Sequence, residues 1–253
     1  MLKLSVSSIG TYEKCPKQYH YRYIEKPDVI RQKHPATEFG SCAHLALEIF
    51  HKVLMKKNID SSEYPRLMKW ATGKAIKEFD LSILKEPTWT TNGEIPGIIF
   101  LKEVLQDYLN VIRSQGLPNV IGVEVPYSFK VGDSTIRGYI DRLDKVCDGE
   151  YRVVDYKTSK NPKYLTEFQL LVYADAIRRK YPDAKIIHGS YMMLKHSCKT
   201  KDWVFNSSDF NRVTKKLLKR AGQINSETRW VKKPSVLCNW CDYKTICQDS
   251  WAE

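Results

Sequence analysis

Hydrophobic positions recur along this chain with two different periods, and the change of period divides it. In the first part apolar residues fall three and four apart. Residues 38–57 place Phe39, Ala43, Ala46, Leu47, Phe50 and Leu54 on one face, which predicts an amphipathic helix. Further helices are expected at about 64–84 and 97–115, separated by a turn-rich stretch from Glu86-Pro87 to Pro96-Gly97. Near the start, Ser5-Val6-Ser7-Ser8 caps a short helix that stops at Cys15-Pro16, because proline disfavours helix in the residue before it. From residue 119 the character changes. Residues 119–131, 134–147 and 150–157 are rich in Val, Ile and Tyr and are bounded by Gly132-Asp133 and Asp148-Gly149, both hairpin signals. A helix at about 163–180 follows, then a strand at 185–195, a short strand at 201–205 and a basic helix at 207–222.

Three strands, a helix and a strand make the pattern of a mixed sheet with a crossover helix. The fold class is therefore α/β, a mixed central sheet flanked by helices, with a helical region inserted in front. One domain over 1–253 is expected. It divides into an N-terminal segment (1–37), a helical region (38–117), the sheet core (118–205) and a basic helix with a cysteine-rich end (206–253).

Composition narrows the partners. The 253 residues carry 41 Lys+Arg against 29 Asp+Glu, a formal charge of +12, which suggests a polyanion. A hydrophobic content of 42% excludes a disordered chain. No apolar run approaches the ~20 residues that span a bilayer, and the first residues lack the apolar stretch of a signal peptide. A cytoplasmic protein without a membrane partner is the expectation. An odd number of cysteines, seven, is poor material for a disulfide framework.

The most informative stretch is Gly138-Tyr139-Ile140-Asp141-Arg142-Leu143-Asp144, followed by Val153-Val154-Asp155-Tyr156-Lys157-Thr158. Asp155 and Lys157, two apart on a strand, share a face. A two-residue turn at Asp148-Gly149 sets Asp141 opposite Tyr156, pointing away from Asp155. A three-residue connection, with Gly149 left-handed in a bulge, sets Asp141 opposite Asp155 instead. That form, or an equivalent bulge further along, is expected. Two carboxylates and an ammonium converging on a sheet are costly unless a charge offsets them, and Mg²⁺ with its preference for oxygen ligands does so. It would polarise a phosphodiester and lower the pKa of a bound water, with Lys157 orienting that water or stabilising charge on phosphorus. The competing reading is a surface Asp–Lys pair on a solvated strand.

Asp141 followed by Asp155-x-Lys157 resembles the PD-(D/E)xK nuclease superfamily. Three further stretches resemble its RecB-like branch. Gly40-Ser41-Cys42-Ala43-His44 is similar to the branch's helical G-x-x-x-H, and Gln169-Leu170-Leu171-Val172-Tyr173 to its Q-x-x-x-Y. Leu4-Ser5-Val6-Ser7-Ser8-Ile9 through Cys15-Pro16-Lys17-Gln18-Tyr19 is similar to its entry segment. The resemblance implies a restriction-endonuclease-like core. It also implies Asp141 and Asp155 as metal ligands, Lys157 as the catalytic lysine, and His44 as a further ligand for a second ion or for Mn²⁺. Gln169 and Tyr173, one helical turn apart, would contact DNA or position Lys157. Glu124, on the preceding strand, is a lesser candidate that would hold metal through water. His51, two turns beyond His44, has no counterpart in the branch.

Cys238-x₂-Cys241-x₅-Cys247 combined with Cys15 looks like the iron–sulfur staple of AddB-type recombination nucleases and CRISPR-adaptation nucleases. The resemblance implies a 4Fe–4S cluster on four thiolates, closing nearly the whole chain into one loop worth roughly 3–5 kcal/mol. The alternative is zinc, with His20 in Cys15-x₄-His20 as a possible ligand. Cys42, Cys147 and Cys198 read as ordinary buried or half-buried thiols.

Basic runs at Arg178-Arg179-Lys180, Lys215-Lys216 with Lys219-Arg220, and Lys232-Lys233 read mainly as solvated faces and helix C-termini. Their sum still favours phosphate contacts. Tyr19, Tyr21, Tyr23 and Trp89 are candidates for base stacking, with core packing the alternative for at least half of them. The helical region at about 60–115 would shape a channel or lid. The function these readings imply is a metal-dependent DNA exonuclease acting on single strands or DNA ends. The alternatives are a partner-dependent end-processing nuclease of the CRISPR-adaptation type, and a non-catalytic DNA-binding scaffold with a zinc site.

Overall fold

Residues 2–30, 33–90 and 93–247 are described by the structure, a computed structural model. Strand β1 (Leu2–Leu4) leads into α1 (Val6–Lys14). Ser5 Oγ accepts from the Ser8 N–H and Ser8 Oγ from the Ser5 N–H, so two orphan donors of the helix start are satisfied reciprocally. Cys15 is extended and ends α1, and its Sγ then accepts from the Gln18 N–H to cap α2 (Pro16–Tyr19). A π-helical segment, His20–Glu25, follows. The helical region contains α3 (Pro35–Lys56), α4 (Tyr64–Ile76), α5 (Leu81–Lys85), β2 (Pro87–Thr90), β3 (Gly93–Pro96) and α6 (Gly97–Gln115). Then come β4 (Val120–Val131), β5 (Ser134–Cys147), β6 (Glu150–Lys157), α7 (Phe168–Lys180), β7 (Ile186–Met193), β8 (Lys199–Phe205) and α8 (Ser207–Asn225).

The departures from the sequence reading have local causes. The helix expected at 64–84 is two, because Asp80 turns extended and caps a new start by accepting from the Ser82 N–H at 2.9 Å. The turn-rich stretch after it is an antiparallel hairpin, β2 on β3. The helix at 163–180 begins only at Phe168, after a 3₁₀ turn at Pro162–Tyr164. Strand β1, three residues long, is too short to display a period.

The chain divides into two compact units. One comprises residues 1–32, 127–138 and 211–253. In it β1 runs parallel to the start of β5, pairing Leu2 with Ser134 and Leu4 with Ile136. Its core includes Leu4, Ile9, Tyr19, Val213, Leu217 and Tyr243. Rings of Tyr12, Tyr19 and Trp230 pack together there, Tyr19 stacked on Trp230 with centroids 5.8 Å apart.

The other unit comprises residues 33–126 and 139–210. Here β5 and β6 are antiparallel, β6 and β7 parallel, and β7 and β8 antiparallel, with β4 also paired to β5. The parallel β6–β7 step is made by α7, the crossover helix anticipated from the sequence. α3, α4 and α6 bury a continuous apolar cluster that includes Phe39, Leu47, Phe50, Leu101 and Leu105, and Val154 and Met192 extend it onto the sheet. Each such side chain is worth about 1.5–3 kcal/mol of burial. This is the mixed sheet flanked by helices that the sequence implied. Among the described residues no helix is long and apolar enough to cross a membrane.

Candidate active site

The register of β5 on β6 decides which side chains meet. At the turn Cys147 pairs with Glu150, a two-residue connection through Asp148 and Gly149, with Gly149 at φ +74°. The register then slips by one at Val146, so that Lys145 pairs with Tyr151 and Arg142 with Val154. This is the bulge further along rather than the three-residue turn. Continued by one residue, it sets Asp141 opposite Asp155. There the ladder opens, and Asp141 Oδ2 accepts the Tyr156 main-chain N–H at 2.7 Å.

His44 reaches the same place from α3. A Cβ on Gly40 would stand 2.8 Å from Thr158 Oγ1, so glycine lets the helix seat against the end of β6. One turn later His44 Nδ1 lies 3.4 Å from Asp141 Oδ2. Glu124 joins from β4, where it holds a left-handed φ of 46° that a residue with a Cβ rarely adopts. His44, Glu124 and Asp141 each present a ligand atom within 4.8 Å of the others. Asp155 and Lys157 form a second cluster beside them. Lys157 Nζ is 2.6 Å from Asp155 Oδ2 and donates to Gln169 Oε1 at 3.1 Å. Gln169 Nε2 donates to Asp155 Oδ1 at 2.7 Å and to the Tyr173 hydroxyl at the same distance. An open cleft of about 710 Å³ runs past His44, Glu124 and Lys157.

The electrostatics of the cluster fit a site that could hold a cation. Burial, then the neighbouring Asp155 charge, raises the Asp141 carboxyl well above the usual carboxylate range. Burial and the Asp141 charge push Glu124 up to about 7. Burial holds His44 below its ordinary value, leaving a neutral imidazole, and a hydrogen bond to the Tyr156 main chain orients its ring. Asp155 Oδ2 is buried and, apart from its ion pair with Lys157, accepts no hydrogen bond. An imidazole, two close carboxylates and a third with a spare oxygen fit a Mg²⁺ or Mn²⁺ ion, whose charge would reverse the upward shifts.

Residues 3–248 match the PD-(D/E)XK nuclease superfamily. The chain belongs to that superfamily. Its relatives include the gene 69 protein of Mycobacterium phage D29, 27% identical over 75% of this chain and 74% of the phage protein. An ATP-dependent helicase/deoxyribonuclease subunit of Lactococcus lactis subsp. cremoris is 23% identical over 83% of this chain and 20% of its own length. The corresponding subunit of Clostridioides difficile is 28% identical over 71% and 18%. This nuclease thus spans about a fifth of those helicase/deoxyribonuclease subunits. A solved structure from Eubacterium rectale, of a protein described as a candidate exonuclease, shares the fold with a TM-score of 0.52 at 14% identity, covering 94% of this chain and 92% of that one.

Two features go beyond the sequence reading. Glu124 stands in the group with His44 and Asp141, not behind it. The opposite face of β5 and β6 holds a second charged network, in which Arg142 pairs with Asp144 at 2.9 Å and donates to the hydroxyls of Tyr108 and Tyr156. His51 completes it through Tyr108, 2.5 Å away, and is therefore a core residue. The signal was present, since Arg142-x-Asp144 repeats the spacing of Asp155-x-Lys157.

In the other unit, Cys15, Cys238, Cys241 and Cys247 line one cavity of about 70 Å³, with Lys14, Lys232, Lys233 and Lys244 around it. Gln18 Nε2 donates to Cys241 Sγ, and the Ser235 N–H to Cys238 Sγ. Burial raises the Cys241 and Cys247 thiols, and their neighbouring sulfurs add to the shift. Among the described residues no three of these sulfurs lie within 4.8 Å of one another. His20 is held by Glu25 at 3.2 Å and is not among the residues lining that cavity. Cys42 and Cys198 are buried as expected, but Cys147 is exposed, at the hairpin turn beside Glu150. Tyr19 and Tyr21 are core residues, and Tyr23 packs on Tyr19. Trp89 lies on β2, and its side chain is outside the described ones.

Proposed function

We propose that this nuclease is a metal-dependent DNA exonuclease that hydrolyses phosphodiester bonds of single strands or DNA ends, in repair or recombination, with the whole chain acting as one nuclease domain. The observation that carries the reading is the convergence of His44, Glu124 and Asp141 beside the Asp155–Lys157–Gln169 cluster at an open cleft. His44, Asp141 and Asp155 would hold Mg²⁺ or Mn²⁺, one ion or two, with Glu124 now an equal candidate. When bound, such an ion would supply Lewis-acid polarisation of the phosphodiester and a lowered pKa for water. Lys157, paired with Asp155 and aimed by Gln169, would orient the attacking water or stabilise charge developing on phosphorus. Tyr173 fixes Gln169. The relatives named as helicase/deoxyribonuclease subunits support a role at DNA ends, and a helicase partner is part of the proposal.

The test is degradation of end-labelled single-stranded and duplex DNA with Mg²⁺ and with Mn²⁺. Asp141→Ala and Lys157→Ala are expected to abolish cleavage while the protein stays folded. Full activity in either variant would sink the assignment. Binding without cleavage in the wild type supports the non-catalytic scaffold instead.

The proposal includes a structural 4Fe–4S cluster on Cys15, Cys238, Cys241 and Cys247. Four thiols around one cavity support it. Anaerobic purification should give a brown protein with equal iron and sulfide. Stoichiometric zinc without visible absorption would show the wrong metal was chosen.

A further inference from the structure

Helix α4 carries a surface that the catalytic cleft does not use. Arg66, Lys69, Trp70, Gly73 and Lys74 recur three and four apart along it, with Lys77 at its C-cap, and so form one exposed stripe. The other side of α4 is packed, with Met68, Ala71, Thr72 and Ala75 buried. Trp70 stands 49% exposed within the stripe, and Lys74 Nζ lies 5.8 Å from its ring centroid. Two shallow grooves, of about 440 and 540 Å³, flank it, and Arg66 and Trp70 line both. Lys56 and Lys57, at the end of α3, line one of them. Together the grooves present six cations against one carboxylate, Glu63, itself 3.6 Å from Arg66.

Ordinary helix physics accounts for part of this. Cations are favoured near helix C-termini, which covers Lys56, Lys57, Lys74 and Lys77. It does not cover Arg66 and Lys69 in the first half of α4, nor a tryptophan left in water among charges. Gly73 is also unexplained by packing, since a Cβ there would meet nothing within 4 Å, and glycine weakens a helix interior. Its absent side chain leaves the groove floor open beside Trp70. A polyanion alone would require only the cations. A flat exposed aromatic on a cationic track matches a chain that alternates phosphates with unpaired bases.

We infer that the α4 stripe is a second binding surface for single-stranded nucleic acid, with Trp70 stacking a base and the surrounding cations following its phosphates. The inference rests on the DNA substrate proposed above, but not on cleavage. His44 and Lys56 lie twelve residues apart on α3, roughly 18 Å along the helix. A strand engaging both cleft and stripe would therefore span several nucleotides.

The test reads binding without divalent metal, using a fluorescent single-stranded oligonucleotide of about thirty nucleotides. Trp70→Ala should weaken binding about tenfold, and Trp70→Phe, which keeps an aromatic face, much less. Lys69→Glu with Lys74→Glu should weaken it further and lower the slope of log affinity against log salt by about 1.4. Thermal melts of these exposed substitutions should match the wild type. Cleavage of an oligonucleotide of about four nucleotides should be unchanged. Wild-type affinity in both the Trp70→Ala and charge-reversal proteins would overturn the inference. Equal loss on duplex DNA would overturn the single-strand assignment, and competition by poly-glutamate as strong as by the strand would transfer the surface to an acidic protein. A wild type that binds through the stripe and never cuts would sink the nuclease reading while leaving this one standing.

Discussion

Arg142-x-Asp144 on β5 and Asp155-x-Lys157 on β6 are two pairs of opposite charge, spaced alike on neighbouring strands, on opposite faces of the same sheet. The first is sealed. Both partners are buried, the guanidinium meets the carboxylate twice, and its remaining donors go to Tyr108 and Tyr156. The second is left incomplete. Asp155 Oδ2 has only the ammonium, Asp141 and Glu124 crowd in beside it with raised proton affinities, and the cleft opens onto Lys157. A buried ion pair therefore does not mark a site by itself. What separates the two is satisfaction: one pair is closed by its partners, and the other sits beside carboxylates that could hold a metal ion.

The same chemical change in each pair should have opposite consequences, and this gives the largest effect. Asp155→Asn keeps the shape and removes the charge, so cleavage should fall at least about 10³-fold with the melting temperature little changed. Asp144→Asn should lower stability and leave the turnover of the folded fraction near wild type. Measured turnover and melts that fail to cross over in this way would remove the distinction between the faces.

A smaller effect follows from breaking the sealed pair. Arg142→Met leaves the buried Asp144 with only the charge of Arg152 across the strand and should cost about 3–5 kcal/mol in denaturant unfolding. Replacing both partners, Arg142→Met with Asp144→Leu, should recover most of that loss, because burying two charges is itself costly. If the double variant is as unstable as the single one, the hydroxyls of Tyr108 and Tyr156 depend on the guanidinium more than the carboxylate does.

The smallest effect is a pH dependence carried mainly by the incomplete face, since burial raises Asp144 on the sealed face too, but against the opposing charge of Arg142. Asp141 and Glu124 hold their protons more tightly folded than unfolded, so the unfolded chain releases protons first as pH rises. Their contribution to stability is complete below the ordinary carboxylate range, near pH 4, and is lost as pH rises through about 7 for Glu124 and further for Asp141. Metal-free protein should lose melting temperature over this window by a few degrees, and Mn²⁺ should restore it. Asp141→Asn should flatten the slope. An unchanged slope in that variant would place the titration elsewhere.

Much of this site was legible because strand chemistry is local. A period of two puts Asp155 and Lys157 on one face, and the Gln169–Tyr173 spacing is one helical turn, which the 2.7 Å contact between them realises. The approach of Glu124 to His44 and Asp141 depends on a left-handed φ inside a strand, which no pattern of neighbours announces. The bulge could be required but not located, since a slip anywhere before Arg142 gives the same pairing of Asp141 with Asp155. The helix boundary at Asp80 turned on a single cap, worth about 0.5–2 kcal/mol, which decides between continuing and restarting.

By itself, then, the order of residues determined the mixed α/β class, the crossover helix between the parallel strands, and which side chains of the candidate site share a face. Those follow from periodicity and from distances of one to four residues, which backbone geometry converts directly into faces. Only the tertiary structure decided which charges are sealed and which are left short of a partner. Arg142 finds Tyr108 from 34 residues away, whereas Asp155 finds nothing for its second oxygen beyond Lys157. Satisfaction of a buried charge is a property of what surrounds it, and those surroundings are assembled by packing between elements far apart in the chain.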